Sequence, residues 1–121
     1  MFIRFFIGLV ILFVIALIWR LIRSFSLGKL TGEQIEEIWL RSPLILDVRS
    51  KKEFLAGHLQ GAMNIPIKEL SIRNVELDPR KPILVCSAGG TRSALAAKLL
   101  LSLGFPEVYS AGRWTNLNDL A

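Results

Sequence analysis

The feature that most constrains this chain is the stretch VCSAGGTRS at residues 85–93, which holds its only cysteine, Cys86. An apolar run at residues 83–85 leads into this stretch and predicts a buried strand, and a helical pattern follows from Ser93 onward. The free N–H groups of such a loop and of the first helical turn point at one spot, which the helix dipole makes positive. The stretch therefore predicts an anion-binding loop beside a thiol.

A thiol in such a loop is expected to shift towards the thiolate, which is the nucleophilic form. The glycines let the backbone curl around the sulfur, and Arg92 offers a permanently charged fork for an oxyanion. A lone cysteine at the end of a buried strand is more often an inert core residue, but the glycines, the arginine and the helix start favour catalysis. The candidate catalytic residue is Cys86, and the candidate anion-binding residues are Ser87, Ala88, Gly89, Gly90, Thr91, Arg92 and Ser93.

The charge of the chain is divided unevenly along its length. Basic residues exceed acidic ones by 15 to 10 over 121 residues, which is the length of one domain. No acid precedes Glu33, and the basic excess comes from Arg4, Arg20, Arg23 and Lys29. We therefore expect no nucleic-acid-binding face, since no basic patch with interleaved aromatics is present. One cysteine excludes an internal disulfide and a cysteine-based zinc site, and it fits a reducing compartment.

Residues 5–19 form an uncharged apolar run, FFIGLVILFVIALIW. At about 1.5 Å per residue this run is short of a bilayer core, but residues 1–22 are long enough if Arg4 and Arg20 reach the two interfaces. Trp19 lies where an interfacial aromatic belongs. The alternatives are a cleaved signal peptide, although no A-x-A site follows the run, and a core helix, although the run is apolar all round. We predict an uncleaved transmembrane helix at residues 1–23.

The charges that flank this helix predict its orientation. One arginine precedes the span, while Arg20, Arg23 and Lys29 follow it. By the positive-inside rule we expect a single-pass protein of the cell (inner) membrane whose catalytic domain lies in the cytoplasm. Residues 24–30 are predicted to be a linker to a domain at residues 31–121.

Strand and helix patterns alternate through that domain. Apolar runs at residues 44–46, 63–66, 83–85 and 108–109 predict strands or extended segments. Helical patterns lie between them, with a capping box from Thr31 to Gln34 and a Gly-then-Pro stop at Gly104. This alternation predicts an α/β fold with a parallel sheet, helices on its faces and a ligand site at the carboxyl ends of the strands.

Several other side chains have structural alternatives. Asp47 and Arg49 directly follow a strand, so they either support the site or form an ion pair that fixes the domain, which is the more common role. The single histidine, His58, is expected to pack and to hydrogen-bond. Three leucines of the last helix recur four positions apart, which predicts a place in the core: Leu95, Leu99 and Leu103.

Several motifs, in this order, resemble the rhodanese family. They are LILDVR at residues 44–49, EF at 53–54, GHLQGAMNIP at 57–66, ILVC with its loop at 83–93 and GRW at 112–114. The resemblance covers a single domain from about residue 33 to the C-terminus and does not include the N-terminal helix. It implies a rhodanese-like α/β fold with a mainly parallel, five-stranded sheet and helices on both faces.

The resemblance also implies an activity. Cys86 would accept a sulfane sulfur from a donor such as thiosulfate, become a persulfide, and pass the sulfur to cyanide, a small thiol or a thioredoxin-like acceptor. The loop N–H groups from Ser87 to Ser93 would cradle the persulfide and the anionic group of the donor, as an oxyanion hole does. Arg92 would bind that anion. No metal or organic cofactor is implied.

One departure from the family pattern keeps other functions open. The rhodanese loop usually has four residues between its cysteine and its arginine, whereas this chain has five, Ser87 to Thr91. The longer spacing resembles the phosphatases and arsenate reductases of the same fold, whose wider loop holds a tetrahedral anion. Val85 in place of their usual histidine, and a loop without a carboxylate acid, favour sulfur transfer. A non-catalytic recruitment module is the third alternative, which the intact Cys86 and Arg92 disfavour.

Overall fold

The computed structural model describes residues 1–25 and 30–120, with the backbone alone at residues 22–25. A long N-terminal helix is followed by alternating strands and helices. The α-helices are α1 (Phe2–Phe25), α2 (Gly32–Trp39), α3 (Lys51–Ala56), α4 (Leu70–Arg73) and α5 (Thr91–Ser102). The strands are β1 (Leu44–Asp47), β2 (Met63–Asn64), β3 (Ile83–Ser87) and β4 (Val108–Arg113). Short 3₁₀ helices lie at Ile67–Glu69, Asn74–Glu76 and Trp114–Leu120.

The strands form one parallel sheet in the order β2-β1-β3-β4. Parallel neighbours need crossover connections, and helices supply them here. This architecture confirms the predicted α/β fold. It places β3 between β1 and β4, so the carboxyl end of β3 is flanked by strands on both sides.

The expected fifth strand is not present among residues 1–25 and 30–120, where the sheet has four strands. The four strands coincide with the four apolar or extended runs of the sequence, and the fifth was expected from the family resemblance alone. At one edge, β2 has only two residues. Pro66 follows shortly after and has no N–H to donate to a ladder, and the chain then turns into a 3₁₀ helix.

Strand side chains alternate between two apolar layers, one on each face of the sheet. In β3, Ile83 and Val85 pack in the layer with Leu100 of α5, while Leu84 packs in the layer with Ile38 of α2. Both faces of the strand are therefore buried, as is usual for a parallel sheet covered by helices. This arrangement confirms the prediction of helices on both faces.

The sequence signals for the start of α2 and for the end of α5 are both confirmed. The Thr31 side chain accepts the Gln34 N–H, and the Gln34 side chain accepts the Thr31 N–H, which completes the predicted capping box of α2. At the end of α5, Gly104 has a φ of +99°, a left-handed conformation that favours glycine. The Gly104 N–H then bonds to the Leu101 carbonyl and the Phe105 N–H to the Leu100 carbonyl, which ends the helix where predicted.

The prediction that Leu95, Leu99 and Leu103 lie in the core is wrong for two of the three. Leu95 is 57% exposed and Leu103 is 48% exposed, while Leu99 is partly buried. An interval of four residues drifts around a helix of 3.6 residues per turn, and a buried face combines intervals of three and four. The residues of α5 that are buried follow that combined pattern: Ser93, Ala96, Ala97 and Leu100.

The N-terminal helix α1 is apolar all round and does not bury its side chains between Phe2 and Leu21. Between Phe2 and Leu21 its mean hydropathy is 2.8, and none of the most apolar window is buried. Its length and composition suit a membrane span, and they equally suit a signal sequence near an N-terminus. The predicted linker at residues 24–30 lies largely outside the described residues, and α1 itself extends to Phe25.

Candidate active site at the carboxyl end of β3

Cys86 lies near the carboxyl end of β3, as the sequence predicts. Its partners in register are Asp47 on β1 and Gly112 on β4. The residue is fully buried and packs in the apolar layer that contains Leu84 and Leu117. The cysteine is therefore held in a fixed position among the three longer strands of the sheet.

The thiol of Cys86 is not prepared as a thiolate in this conformation. Among the described residues, none donates a hydrogen bond to Sγ. Burial, with a smaller contribution from the nearby Asp47 carboxylate and against the opposing effect of Arg49, raises the pKa of the thiol from 9.0 to about 12. The expectation of a thiol shifted towards thiolate is therefore wrong for this conformation, because the apolar surroundings outweigh the field of the loop.

The loop after Cys86 is folded around its own serine hydroxyl. Ser87 is fully buried, and its Oγ accepts the Gly90 N–H at 3.0 Å and the Ser93 N–H at 3.3 Å. Two of the amides that were expected to bind an anion are thus occupied by a side chain of the loop itself. Ala88 and Gly89 form the exposed tip, and their N–H groups donate no hydrogen bond within the described part of the chain.

A short chain of hydroxyls fixes the second half of the loop. The Ser110 hydroxyl of β4 donates to Ser93 Oγ at 3.0 Å, and the Ser93 hydroxyl donates to the Gly90 carbonyl at 2.8 Å. Gly90 is the N-cap of α5, and its φ of +94° lies in the left-handed region, where glycine is favoured. The helix therefore begins at Thr91, and Ser93 lies inside its first turn and is not the N-cap.

Arg92 is engaged by a carboxylate from another helix. Its two terminal nitrogens donate to the two carboxylate oxygens of Glu53 on α3, at 2.7 and 2.8 Å. Such a forked pair is the strongest arrangement available to an arginine. The Arg92 guanidinium, helped by Ser50, lowers the pKa of Glu53 to about 2, so the pair stays charged at neutral pH. Arg92 was expected to bind the anionic group of a donor, but in this conformation it binds the Glu53 carboxylate.

Asp47 and Arg49 form a second pair of the same kind, in the interior. Asp47 is fully buried, and Arg49 Nε and Nη2 donate to its two carboxylate oxygens, the shortest contact being 2.8 Å. Arg49 also donates to the Gly57 carbonyl, and its guanidinium lies 4.7 Å from the centroid of the Trp114 ring. The ion-pair interpretation of these two residues is confirmed by these contacts, and the pair lies next to the cysteine as well.

His58 has the structural surroundings that the sequence predicts. Its Nδ1 lies 2.8 Å from the Phe54 carbonyl oxygen, and its ring stacks on the Phe54 ring with centroids 3.8 Å apart. These contacts close the end of α3. They supply no path from the imidazole to the cysteine, so His58 is not part of the candidate site.

The structure brings two residues to the loop that the sequence does not single out, Glu53 and Ser110. The Ser50–Glu53 capping box was readable as a local S-x-x-E pattern. The pairing of Glu53 with Arg92 could not be predicted from the sequence, because the partners lie 39 positions apart and only the fold brings them together. No group of three or more histidine, cysteine, aspartate or glutamate side chains that could hold a metal occurs among residues 1–25 and 30–120.

Comparison with known proteins decides the family. The model of the rhodanese-like domain matches residues 31–112, which is more than half of the chain. The chain belongs to the rhodanese-like domain family. This match confirms the resemblance noted in the sequence and begins where the capping box of α2 begins.

Named relatives of this rhodanese-like domain include both uncharacterised and enzymatic proteins. The chain is 32% identical over 98 residues to the uncharacterised protein YqhL of Bacillus subtilis, covering 81% of this chain and 78% of that protein. It is 30% identical over 84 residues to the thiosulfate sulfurtransferase GlpE of Pseudomonas fluorescens, covering 68% and 75% of the two chains. It is 37% identical over 79 residues to the thiosulfate sulfurtransferase PspE of Escherichia coli, covering 63% and 72%.

Solved structures agree with this family. The rhodanese-related protein of Thermoplasma volcanium superposes with a TM-score of 0.62 at 26% identity, over 75% of this chain and 91% of that one. A rhodanese with anions from Escherichia coli superposes with a TM-score of 0.58 at 30% identity, over 61% and 89%. Both cover nearly the whole length of the other protein and leave part of this chain unmatched.

Proposed function

We propose that this protein is a sulfurtransferase, which moves a sulfane sulfur from a donor such as thiosulfate to a thiol or cyanide through a persulfide on Cys86. The observation that carries the proposal is the position of Cys86 at the carboxyl end of β3, directly before a glycine-containing loop that opens into the N-terminus of α5. The thiosulfate sulfurtransferases among its relatives support the same reaction.

The reaction would proceed in two displacements at sulfur. The Cys86 thiolate attacks the outer sulfur of thiosulfate, the S–S bond of the donor breaks, and sulfite leaves with the bonding electron pair. The terminal sulfur of the resulting persulfide is then attacked by an acceptor thiolate or by cyanide, which releases Cys86 as a thiolate. The free N–H groups of Ala88, Gly89 and the first turn of α5 would stabilise the negative charge on the transferred sulfur.

The resting conformation has to open before the first displacement. Cys86 is fully buried, and burial with the nearby Asp47 raises its pKa to about 12, so the thiolate is scarce at neutral pH. The loop tip, in contrast, is exposed at Ala88 and Gly89. Movement of that tip would admit the donor and bring amide N–H groups to the sulfur, and each bond to the thiolate favours that form.

The five-residue spacing does not by itself favour a phosphatase or an arsenate reductase. In this conformation the loop disfavours every tetrahedral dianion, thiosulfate included, because Ser87 Oγ accepts the Gly90 and Ser93 N–H groups and Glu53 holds Arg92. The absence of a carboxylate acid between Ser87 and Thr91 favours sulfur transfer over hydrolysis of a phosphate ester. A recruitment module without catalysis would leave the position of Cys86 without a purpose.

The N-terminal helix supplies the proposed location. We place α1 across the cell (inner) membrane as an uncleaved anchor, with the rhodanese-like domain in the cytoplasm. The mean hydropathy of 2.8 between Phe2 and Leu21, and the finding that none of the most apolar window is buried, support a lipid surrounding. The basic residues that follow the span support the orientation.

The test is to follow sulfur onto the cysteine. The full-length protein in a nonionic detergent is incubated with thiosulfate and its intact mass is measured, beside Cys86→Ser. The proposal predicts one added sulfur on the native protein, none on the variant, and its removal by cyanide. If Cys86 stays unloaded while the protein hydrolyses an aryl phosphate or reduces arsenate, sulfur transfer is wrong and the longer loop has the other function. Absence of all three activities would favour the recruitment module.

A further inference from the structure

The carboxylate of Glu53 occupies the end of the Arg92 side chain, where the two terminal guanidinium nitrogens lie. Its two oxygens accept from the two terminal guanidinium nitrogens at 2.7 and 2.8 Å. Each side chain is a little over one third exposed, so the pair lies at the rim of the candidate site, within reach of solvent. An anion that is to bind Arg92 must therefore displace this carboxylate or bind beside it.

Glu53 is also fixed from its own helix. Its Oε1 accepts the Ser50 N–H at 3.2 Å and the Ser50 hydroxyl at 3.0 Å, while the Glu53 N–H donates to Ser50 Oγ. This capping box holds the glutamate at the third position of α3. The capping box thus positions the carboxylate independently of Arg92. Rotating the Glu53 side chain away from Arg92 would also break the cap of α3.

A second arginine is neutralised in the same way. Arg49 is held by the fully buried Asp47, which is the register neighbour of Cys86 on β1. Two arginines and two carboxylates therefore surround the loop, and their charges cancel. A dianionic donor meets a nearly neutral site with a carboxylate at its rim.

We propose that Glu53 determines the class of sulfur donor: its carboxylate on Arg92 selects a thiol persulfide, R–S–SH, over dianionic donors such as thiosulfate. The inference rests on the proposed function and deepens it. A thiol persulfide brings a transferable sulfur without a charged oxyanion group, so it needs no free arginine. Thiosulfate has to compete with Glu53 for the same fork.

The transfer from a persulfide is balanced without any further reactant. The Cys86 thiolate attacks the terminal sulfur of R–S–SH, the S–S bond of the donor breaks, and a new S–S bond forms at Cys86. The thiol R–SH leaves with the proton that Cys86 gave up. Sulfur is passed on with no net oxidation or reduction.

The test compares two donors on matched variants of the full-length protein in nonionic detergent. Glu53→Gln removes the charge yet keeps a residue that serves in a capping box, and Glu53→Ala removes the side chain altogether. Glu76→Gln is the control, because it takes an equal charge from an exposed ion pair with Arg73 on another helix. The donors are thiosulfate and the persulfide of 2-mercaptoethanol, and the readout is the second-order rate of sulfur loading on Cys86.

Both Glu53 variants are expected to load from thiosulfate about tenfold faster than the native protein, which is the effect of about 1.4 kcal/mol from one charged hydrogen bond regained by the donor. Loading from the persulfide should change less than twofold, and Glu76→Gln should match the native protein with both donors. Equal changes with both donors, or no change with thiosulfate, would overturn the role of Glu53.

Sulfate provides a readout that is independent of catalysis. As an unreactive dianion it should raise the thermal unfolding temperature of the Glu53 variants and leave the native protein and Glu76→Gln nearly unchanged. If the native protein loads sulfur from neither donor while sulfate still distinguishes the variants, the proposed function fails and the occupancy of Arg92 by Glu53 stands. If both donors load and sulfate has no differential effect, the inference about Glu53 alone fails.

Discussion

Cys86 has the surroundings of a protected thiol. The residue is fully buried beside the Asp47 carboxylate, and no described residue hydrogen-bonds to its sulfur. The same strand end that would place the thiol for reaction thus suppresses its ionisation. The rate of any reaction at Cys86 is therefore set by the fraction of time in which the loop exposes the thiol and by the pH.

Alkylation of Cys86 should be slow in the folded protein. Because burial is the largest cause that raises the pKa of the thiol from 9.0 to about 12, the folded protein at pH 8 should react with iodoacetamide roughly a hundredfold to a thousandfold more slowly than the denatured chain. The rate should rise about tenfold per pH unit as the pH increases towards 12. Measuring the modified fraction by intact mass over time gives both numbers. A rate equal to that of the denatured chain, levelling off above pH 9, would contradict a buried thiol with a raised pKa.

The same thiol predicts a pH dependence of stability. Because its folded pKa is raised, its contribution to stability is complete below pH 9.0 and is lost as the pH rises from there to about 12. The native protein should therefore lose stability in that window more steeply than Cys86→Ser, which lacks the thiol and shares every other group that titrates there. Parallel thermal unfolding of the two proteins at pH 8, 9 and 10 measures the difference. Identical slopes would contradict it.

At the scale of elements, the loop between β3 and α5 is held mainly by hydroxyl groups. Ser87 Oγ accepts two loop amides, and the Ser110 and Ser93 hydroxyls link β4 to the N-cap of α5. The loop is therefore anchored at its base and free at its tip. Such an arrangement allows the tip to move without unfolding the helix.

Replacing Ser87 with alanine should destabilise the anchored part of this loop and lower the free energy of unfolding. The substitution leaves the Gly90 and Ser93 N–H groups without their acceptor, and an unsatisfied buried donor costs about 1–3 kcal/mol. Ser102→Ala is the control, because the Ser102 hydroxyl makes one exposed hydrogen bond within α5 and its loss should change the free energy of unfolding by less than about 0.5 kcal/mol. Thermal unfolding of both variants measures the contrast, and equal stabilities would show that Ser87 does not hold the loop.

The elements themselves were largely predictable from local signals. The capping box at Thr31, the stop at Gly104 and the four apolar or extended runs each correspond to an observed element. The exposure of Leu95 was not predictable from its spacing, since an interval of four does not identify the buried face of a helix. The strand pattern predicted the position of Cys86, but it did not predict which side chains bind the loop amides and Arg92. Ser87 and Glu53 take their places through contacts that only the packed sheet creates.

At the scale of the whole molecule, the chain combines one exposed apolar helix with a small α/β domain. The helix α1 buries none of its most apolar window, whereas the domain is packed on both faces of its sheet. Its charge is also segregated, because the basic excess lies in the first part of the sequence. These features suit a domain that works at a membrane surface.

The membrane location predicts a simple fractionation result. The full-length protein should remain with the membranes after alkaline carbonate washing, and its mass should be that of the uncut chain, because no A-x-A site follows the apolar run. A fluorescent protein fused at the C-terminus should fluoresce and an alkaline phosphatase fused there should be inactive, as expected for a cytoplasmic C-terminus. A shortened, freely soluble chain would identify α1 as a signal sequence instead.

The most direct measurement of the central claim is a single turnover with labelled thiosulfate. The full-length protein is loaded with donor carrying a labelled outer sulfur, freed of excess donor, and then mixed with cyanide while labelled thiocyanate is counted. The sulfurtransferase account predicts one labelled sulfur on Cys86 per chain, one labelled thiocyanate released, and neither product from Cys86→Ser. Unloaded Cys86, or thiocyanate formed equally by the Cys86→Ser variant, would contradict it.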